Sequence, residues 1–175
     1  MKRITVVVFV LVTLLCACSI VSGKTTPDDA ELLNATPIPR TRMELIWLDP
    51  PKLEGLAKKV KAAGGTLNVE YYETADNDRR EYETTWADIL WAKEVEKIID
   101  LAWAAVQANQ LYEAIKYYKQ ALVLAPGGDF FLMTIGVAYV QLGEKERGIR
   151  FLERAAQISP KVGRIRRNLE NARAY

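Results

Sequence analysis

The sequence predicts a mainly α fold: a short α-solenoid of helix–turn–helix pairs with a C-terminal capping helix, and a small β-hairpin ahead of the pairs. The first observation behind this is internal repetition. Residues 95–160 align with themselves after a shift of 34 residues: Ile98 falls on Leu132, Leu101 on Ile135, Ala102 on Gly136, Ala105 on Tyr139 and Asn109 on Gly143. Further along, Ala114 falls on Gly148, Tyr118 on Leu152, Ala121 on Ala155, Leu122 on Ala156 and Pro126 on Pro160. The second is a helical spacing of apolar residues, broken at Pro126-Gly127-Gly128 and at Ser159-Pro160, where a helix cannot continue. The third is a change of period upstream, where Leu67, Val69 and Tyr71 alternate with polar neighbours as a strand would.

The chain opens on Met1-Lys2-Arg3, an apolar run over 4–15, and Cys16-Ala17-Cys18. A positive start, an apolar centre and small residues before a break make a secretory signal. Leu15-Cys16-Ala17-Cys18 resembles the bacterial lipoprotein box, Leu-x-Ala-Cys. The resemblance implies a signal peptide over 1–17, a diacylglyceryl (palmitate-type) lipid on Cys18 as the first mature residue, and a protein held in the bacterial cell envelope. Ser19, where Asp could stand, implies by the same resemblance the outer membrane, with the chain facing the periplasm. Two other readings stay open. Residues 4–21 could remain as an uncleaved anchor, since about 18 apolar residues just suffice, or ordinary cleavage could fall near Ser22-Gly23. Gly23-Lys24-Thr25 imitates the end of a phosphate-binding loop, but Cys18 stands where that loop needs Gly and no strand precedes it.

Residues 18–42 hold Pro27, Pro37 and Pro39 among Thr, Asp and Ser, and have no apolar period of their own. They read as a flexible tether between lipid and domain. The sequon Asn34-Ala35-Thr36 is incidental in such a protein. Met43-Glu44-Leu45-Ile46-Trp47-Leu48 is a dense apolar stretch that should be buried, either on its own domain or on another protein. Residues 43–94 are expected to form an N-terminal helix and the hairpin, packed on the repeats. The helix spans 51–63, with Pro51 in its first turn, Leu53, Leu56, Ala57 and Val60 on one face, and Gly64-Gly65 after it. The hairpin spans 66–84 with turn chemistry at Ala75-Asp76-Asn77-Asp78, and a helical pair is the rival reading. Asp76, Asp78, Glu81 and Glu83 do not make a calcium loop, because Glu81 and Ala87 occupy the places that need Gly and Glu.

Thr85 caps a helix over 86–108, with Asp88 close to its positive end. Its partner spans 112–124, and a second pair spans 130–142 and 145–158. The two units are thus 95–128 and 129–160. Residues 161–175 give a capping helix, with Ile165, Leu169 and Ala172 on one side and Arg164, Arg166, Arg167 and Arg173 elsewhere. Small residues at Ala102, Gly136, Ala114 and Gly148 admit close helix approach, and Tyr118, Tyr139 and Leu152 fill the remaining volume.

A 34-residue period with small, large and Pro positions in this order resembles the tetratricopeptide repeat. Ala105 and Asn109 depart from its pattern, standing where a large aromatic and Gly are usual. The resemblance implies a protein-binding groove along the first helix of each unit. On this chain it comprises Glu96, Ile99, Trp103, Val106 and Gln107, then Phe130, Met133, Val137, Val140 and Gln141, with Arg164, Arg167 and Asn171 of the cap beside them. The family's carboxylate clamp of Lys and Asn is replaced here by mostly apolar residues. An apolar groove edged by Arg suits an extended or helical peptide, unless residues 43–48 or 67–72 fill it from the same chain.

Composition excludes several classes. Without Lys2 and Arg3 the chain carries 22 basic and 22 acidic groups, so nothing steers it to nucleic acid. There is no His, and both cysteines lie in the leader region, so no metal site, disulfide framework, cofactor or ordinary general base is expected. The expectation is a non-enzymatic, membrane-anchored scaffold that binds a protein or peptide partner in envelope or secretion assembly. A homo-oligomeric structural lipoprotein with a self-filled groove is the alternative. A hydrolase using the carboxylates over 66–83 with Tyr71, Tyr72 and Tyr82 is a third, which lacks a cleft and a partner base.

Overall fold

In the computed structural model the described residues are 27–73 and 78–174, with only the backbone described over 70–82. The leader and Cys18 lie outside them. Five helices carry the solenoid in chain order: α4 (Trp86–Gln107), α5 (Leu111–Leu124), α6 (Asp129–Gln141), α7 (Lys145–Ile158) and α8 (Gly163–Ala174). Ahead of them come α1 (Asp29–Asn34), α2 (Arg40–Glu44), a 3-10 turn (Leu45–Trp47) and α3 (Pro50–Ala62). A two-stranded antiparallel hairpin follows, β1 (Thr66–Glu73) with β2 (Asp78–Thr85), in a register that sets Leu67 opposite Thr84 and Val69 opposite Tyr82.

Local chemistry explains the boundaries. Asp49 accepts from the Lys52 N–H at 2.9 Å and Pro50 opens α3, so the helix starts where an N–H would otherwise be orphaned. At α4 the Thr85 hydroxyl accepts from the Asp88 N–H at 3.1 Å, while the Asp88 carboxylate accepts from the Thr85 N–H at 3.0 Å. This reciprocal box satisfies two donors at once. The first helix of each pair ends alike. The Gln110 N–H donates to the Ala105 carbonyl and the Glu144 N–H to the Tyr139 carbonyl, both at 2.9 Å. The residue before each donor adopts positive φ, 58° at Asn109 and 82° at Gly143. Asn is the side chain best able to replace Gly in that conformation, so the departure at Asn109 leaves the turn intact.

The pairs approach closely where the small residues align. A β-carbon added to Gly136 would fall 2.8 Å from the Gly148 carbonyl oxygen and 2.7 Å from Leu152 Cγ. Backbone here packs directly on backbone between α6 and α7. The core runs along all five helices, from Val95 and Ala102 through Tyr118, Phe131 and Ile135 to Phe151, Ile165 and Leu169. A second small cluster joins Leu53 and Val60 of α3 to Ile89 of α4.

The expected tether is corrected from Pro27 onward. Residues 27–42 form an arm laid against the repeats: Leu32 is buried, the Ile38 N–H donates to the Pro126 carbonyl at 3.0 Å, and Arg154 donates to the Ala35 carbonyl at 3.1 Å. Pro37 lies over Gly127, where positive φ and the lack of a side chain leave room for it. The arm has no period because it makes no core of its own. Its order comes from contacts with residues about 90 to 120 positions away in sequence, which no local pattern encodes.

Candidate interaction groove

The sequence-derived groove residues divide into three groups. Ile99 and Met133 are core, 6% and 5% exposed, and are unavailable to a partner. Glu96 and Val106 are half-buried, while Trp103 and Gln107 are exposed on α4. Phe130 is half-buried and already engaged. The Trp47 ring stands edge-on to it at 5.2 Å, Tyr118 at 6.2 Å, and the Arg164 guanidinium lies 5.9 Å from its centroid. Residues 45–47 therefore occupy this end of the surface from within the chain, with Leu45 and Ile46 in the core. Arg42 extends the contact. It pairs with Asp88 at 2.9 Å and lies 4.4 Å over Trp91, whose indole N–H donates to the Leu124 carbonyl at 2.9 Å.

The third group is brought together in an open cleft. Val137, Val140 and Gln141 of α6 and Asn168, Asn171 and Ala172 of α8 line a cavity of about 630 Å³, together with Gly143, Lys145 and Leu152. The valines, Leu152 and Ala172 make the lining mainly apolar, and Gln141, Asn168 and Asn171 add amides beside the Lys145 ammonium. Such amides can donate to and accept from a main chain, while the valines and Leu152 receive a small apolar side chain. Arg164 and Arg167 are both exposed and absent from the cleft lining, since α8 turns its Asn168–Asn171 edge inward. Asn168 and Lys145 were not legible as site residues. Asn168 sits one turn before Ala172 on the helix's packed side, and that spacing was the available signal.

A second polar site lies on the second helices. Asp29 pairs with Lys119 at 2.5 Å and with Arg147 at 2.8 Å, and accepts a hydrogen bond from Arg147 Nε at 2.9 Å. Arg147 also donates to the Tyr139 hydroxyl at 2.7 Å, lies 4.2 Å over that ring, and pairs with Glu144. Burial by itself would raise the Asp29 carboxyl. The hydrogen bonds and charges of Lys119 and Arg147 outweigh it and hold the group below the usual carboxylate range. Burial also opposes the Arg147 charge, and Asp29 and Glu144 reverse that, so its guanidinium is held above its ordinary value. Two acids meet two bases here, so the cluster is a latch for the arm. Lys119 was its sequence signal, a charge inside the apolar stripe of Ala114, Ile115, Tyr118 and Leu122.

Among the described residues, no group of three or more His, Cys, Asp or Glu could hold a metal ion, and no helix is long and apolar enough to cross a membrane. Of the carboxylates over 70–82, Glu70, Glu73, Asp78 and Glu81 are described by backbone alone, and Asp76 lies outside the described residues.

A family model described as Tetratricopeptide repeat matches residues 98–127 and 131–162. These are the α4–α5 and α6–α7 units, so the chain contains two such repeats, a type that generally serves in protein interaction without catalysis. None of the curated proteins compared matches the chain. Among solved structures similar to it is the C-terminal TPR-containing domain of a Plasmodium falciparum protein named as FK506-binding. It is 16% identical at a TM-score of 0.46, over 89% of this chain and 94% of that one.

Proposed function

We propose that these two repeats form a lipid-anchored, non-catalytic scaffold of a bacterial cell envelope, and that the α6–α8 cleft receives an extended segment of a protein partner. The observation that carries this reading is the open pairing of Val137, Val140 and Gln141 with Asn168 and Asn171. Apolar side chains set beside amides read a main chain and one small apolar side chain together. The lipid would sit on Cys18, on the strength of Leu15-Cys16-Ala17-Cys18, and the outer membrane follows from Ser19 by the same resemblance.

Panning a peptide library against the full chain and against Gln141→Arg with Asn171→Arg tests the cleft. Both positions are exposed, so the variant should keep its helical circular dichroism. Peptides retained by the wild type and lost by the variant support the reading, and equal retention refutes it. Incorporation of labelled palmitate, abolished by Cys18→Ser, tests the anchor separately. A second reading is favoured by Trp47 on Phe130: the arm is a built-in occupant of the other half of the groove, and the protein is chiefly structural. Trp47→Ala would then release no new binding at Phe130.

A further inference from the structure

Four of the large exposed apolar side chains among the described residues lie on one helix, α4: Trp86, Leu90, Leu101 and Trp103. In a stacked array the first helix ordinarily has a preceding unit against its outer face. Here α3 packs on α4 near its start, at Ile89, and much of the outer face is open.

That face has a heptad order. Ala87, Leu90, Glu94, Lys97, Leu101 and Ala104 succeed one another at alternating steps of three and four, and Ala108 continues the series at the helix end. All are exposed except Glu94, which is half-buried. This is the seam spacing of a two-helix coiled coil. Trp86, Lys93, Asp100 and Gln107 flank the seam on one side and are exposed. On the other side Ile98 and Ala105 are buried and Trp91 half-buried in the chain's own core.

We propose that this face of α4 is a self-association surface, on which a second copy of the chain docks its own α4 in antiparallel orientation. Charge identifies the occupant. With a twofold axis between residues 95 and 96, Leu90 meets the partner's Leu101, Ala87 meets the partner's Ala104, and Glu94 meets the partner's Lys97. On the flank, Lys93 meets the partner's Asp100. Every charged pairing is of opposite sign, and symmetry repeats each one. An isologous contact demands such self-complementarity. Parallel docking would set Glu94 on its own copy and Lys97 on its own copy, and would need flanking positions that α4 has turned into its core. The charges are free to act. Lys93 and Asp100 have no ion-pair partner among the described residues, and Glu94 and Lys97 pair only with each other, at 3.6 Å across one turn. The contact is a single helix of 22 residues, so the dimer is weak in dilute solution and gains when both copies share a surface.

Sedimentation equilibrium of the full chain in density-matched detergent, over a concentration series, tests this. The expected result is a reversible monomer–dimer equilibrium whose dissociation constant rises about tenfold or more with Lys97→Glu. The exchanged pair Glu94→Lys with Lys97→Glu re-forms the seam pairing and returns it toward the wild type. A monomer throughout, a dimer indifferent to Lys97→Glu, or an exchange that fails to restore association would each overturn the proposal. Should Lys97→Glu lower helicity, disulfide cross-linking decides instead. Mixed chains carrying Glu94→Cys and Lys97→Cys must cross-link beyond the wild-type background, and cross-linking at that background refutes the pairing.

Discussion

Replacing Gly148 by Ala tests the close approach of α6 and α7. A β-carbon there would lie 2.5 Å from Val140 Cγ2, 2.6 Å from the Gly136 carbonyl oxygen and 3.0 Å from the Val140 backbone nitrogen. Two of these atoms are main chain and have no rotamer to escape into, so the helices must part. Against this, Ala is favoured over Gly inside a helix by about 1 kcal/mol. Overpacking a well-filled interface costs about 1–3 kcal/mol, and obstructing backbone places this case at the upper end. The net loss is about 1–2 kcal/mol. At about 2–4 °C per kcal/mol for a domain of this size, Tm should fall by roughly 2–8 °C. Gly55→Ala in α3 is the matched control. Nothing lies within 4 Å of its added carbon, so only the propensity gain remains and Tm should rise by about 2–4 °C. Thermal melts followed by far-UV circular dichroism read both. A Gly148→Ala protein that melts at or above the wild type would refute backbone contact as the reason for glycine here.

Asp29→Asn should leave Lys119, whose side chain is 5% exposed, without its counter-charge, at a cost of about 3 kcal/mol in arm docking. Hydrogen exchange over 29–38 should quicken. Because the folded Asp29 carboxyl titrates below its unfolded value, its stabilisation is complete above about pH 4 and disappears as pH falls through the lower folded value. The Tm difference between wild type and Asp29→Asn should therefore close in acid. Thr85→Ala removes the hydroxyl that caps α4 and should cost about 1 kcal/mol in urea unfolding, with Thr85→Ser retaining most of it. Gly127→Ala meets a φ of 77° and would put its β-carbon 2.7 Å from Pro37 Cα. It should detach the arm there at more than about 1 kcal/mol, visible as lost protection of the Ile38 N–H.

The repeat helices were legible to within about a residue because their information is local. Apolar spacing, the Thr85 cap with Asp88 in the first turn, and breakers at Pro126 and Pro160 each act over a few positions. The hairpin was legible from alternation. The arm was not, since Pro27 to Arg42 has turn-like composition and its partners are remote. Lys119 was the one visible clue, a charge whose burial requires a counter-ion from elsewhere in the chain.

The candidate groove divides along the same line. The repeat period placed Val137, Val140 and Gln141 on one helix face, and the structure opens that face to a cleft. The same period could not tell them from Met133, which faces inward, or from Phe130, which Trp47 covers. A helical period reports which residues share a side of a helix. What comes to lie against that side depends on segments distant in sequence. The sequence by itself thus determined the repeat helices and the hairpin, the cap at Thr85 and the close approach at Gly136 and Gly148. Only the tertiary structure decided that the presumed tether is a docked arm, that Asp29 latches it, and that half of the groove face is already taken.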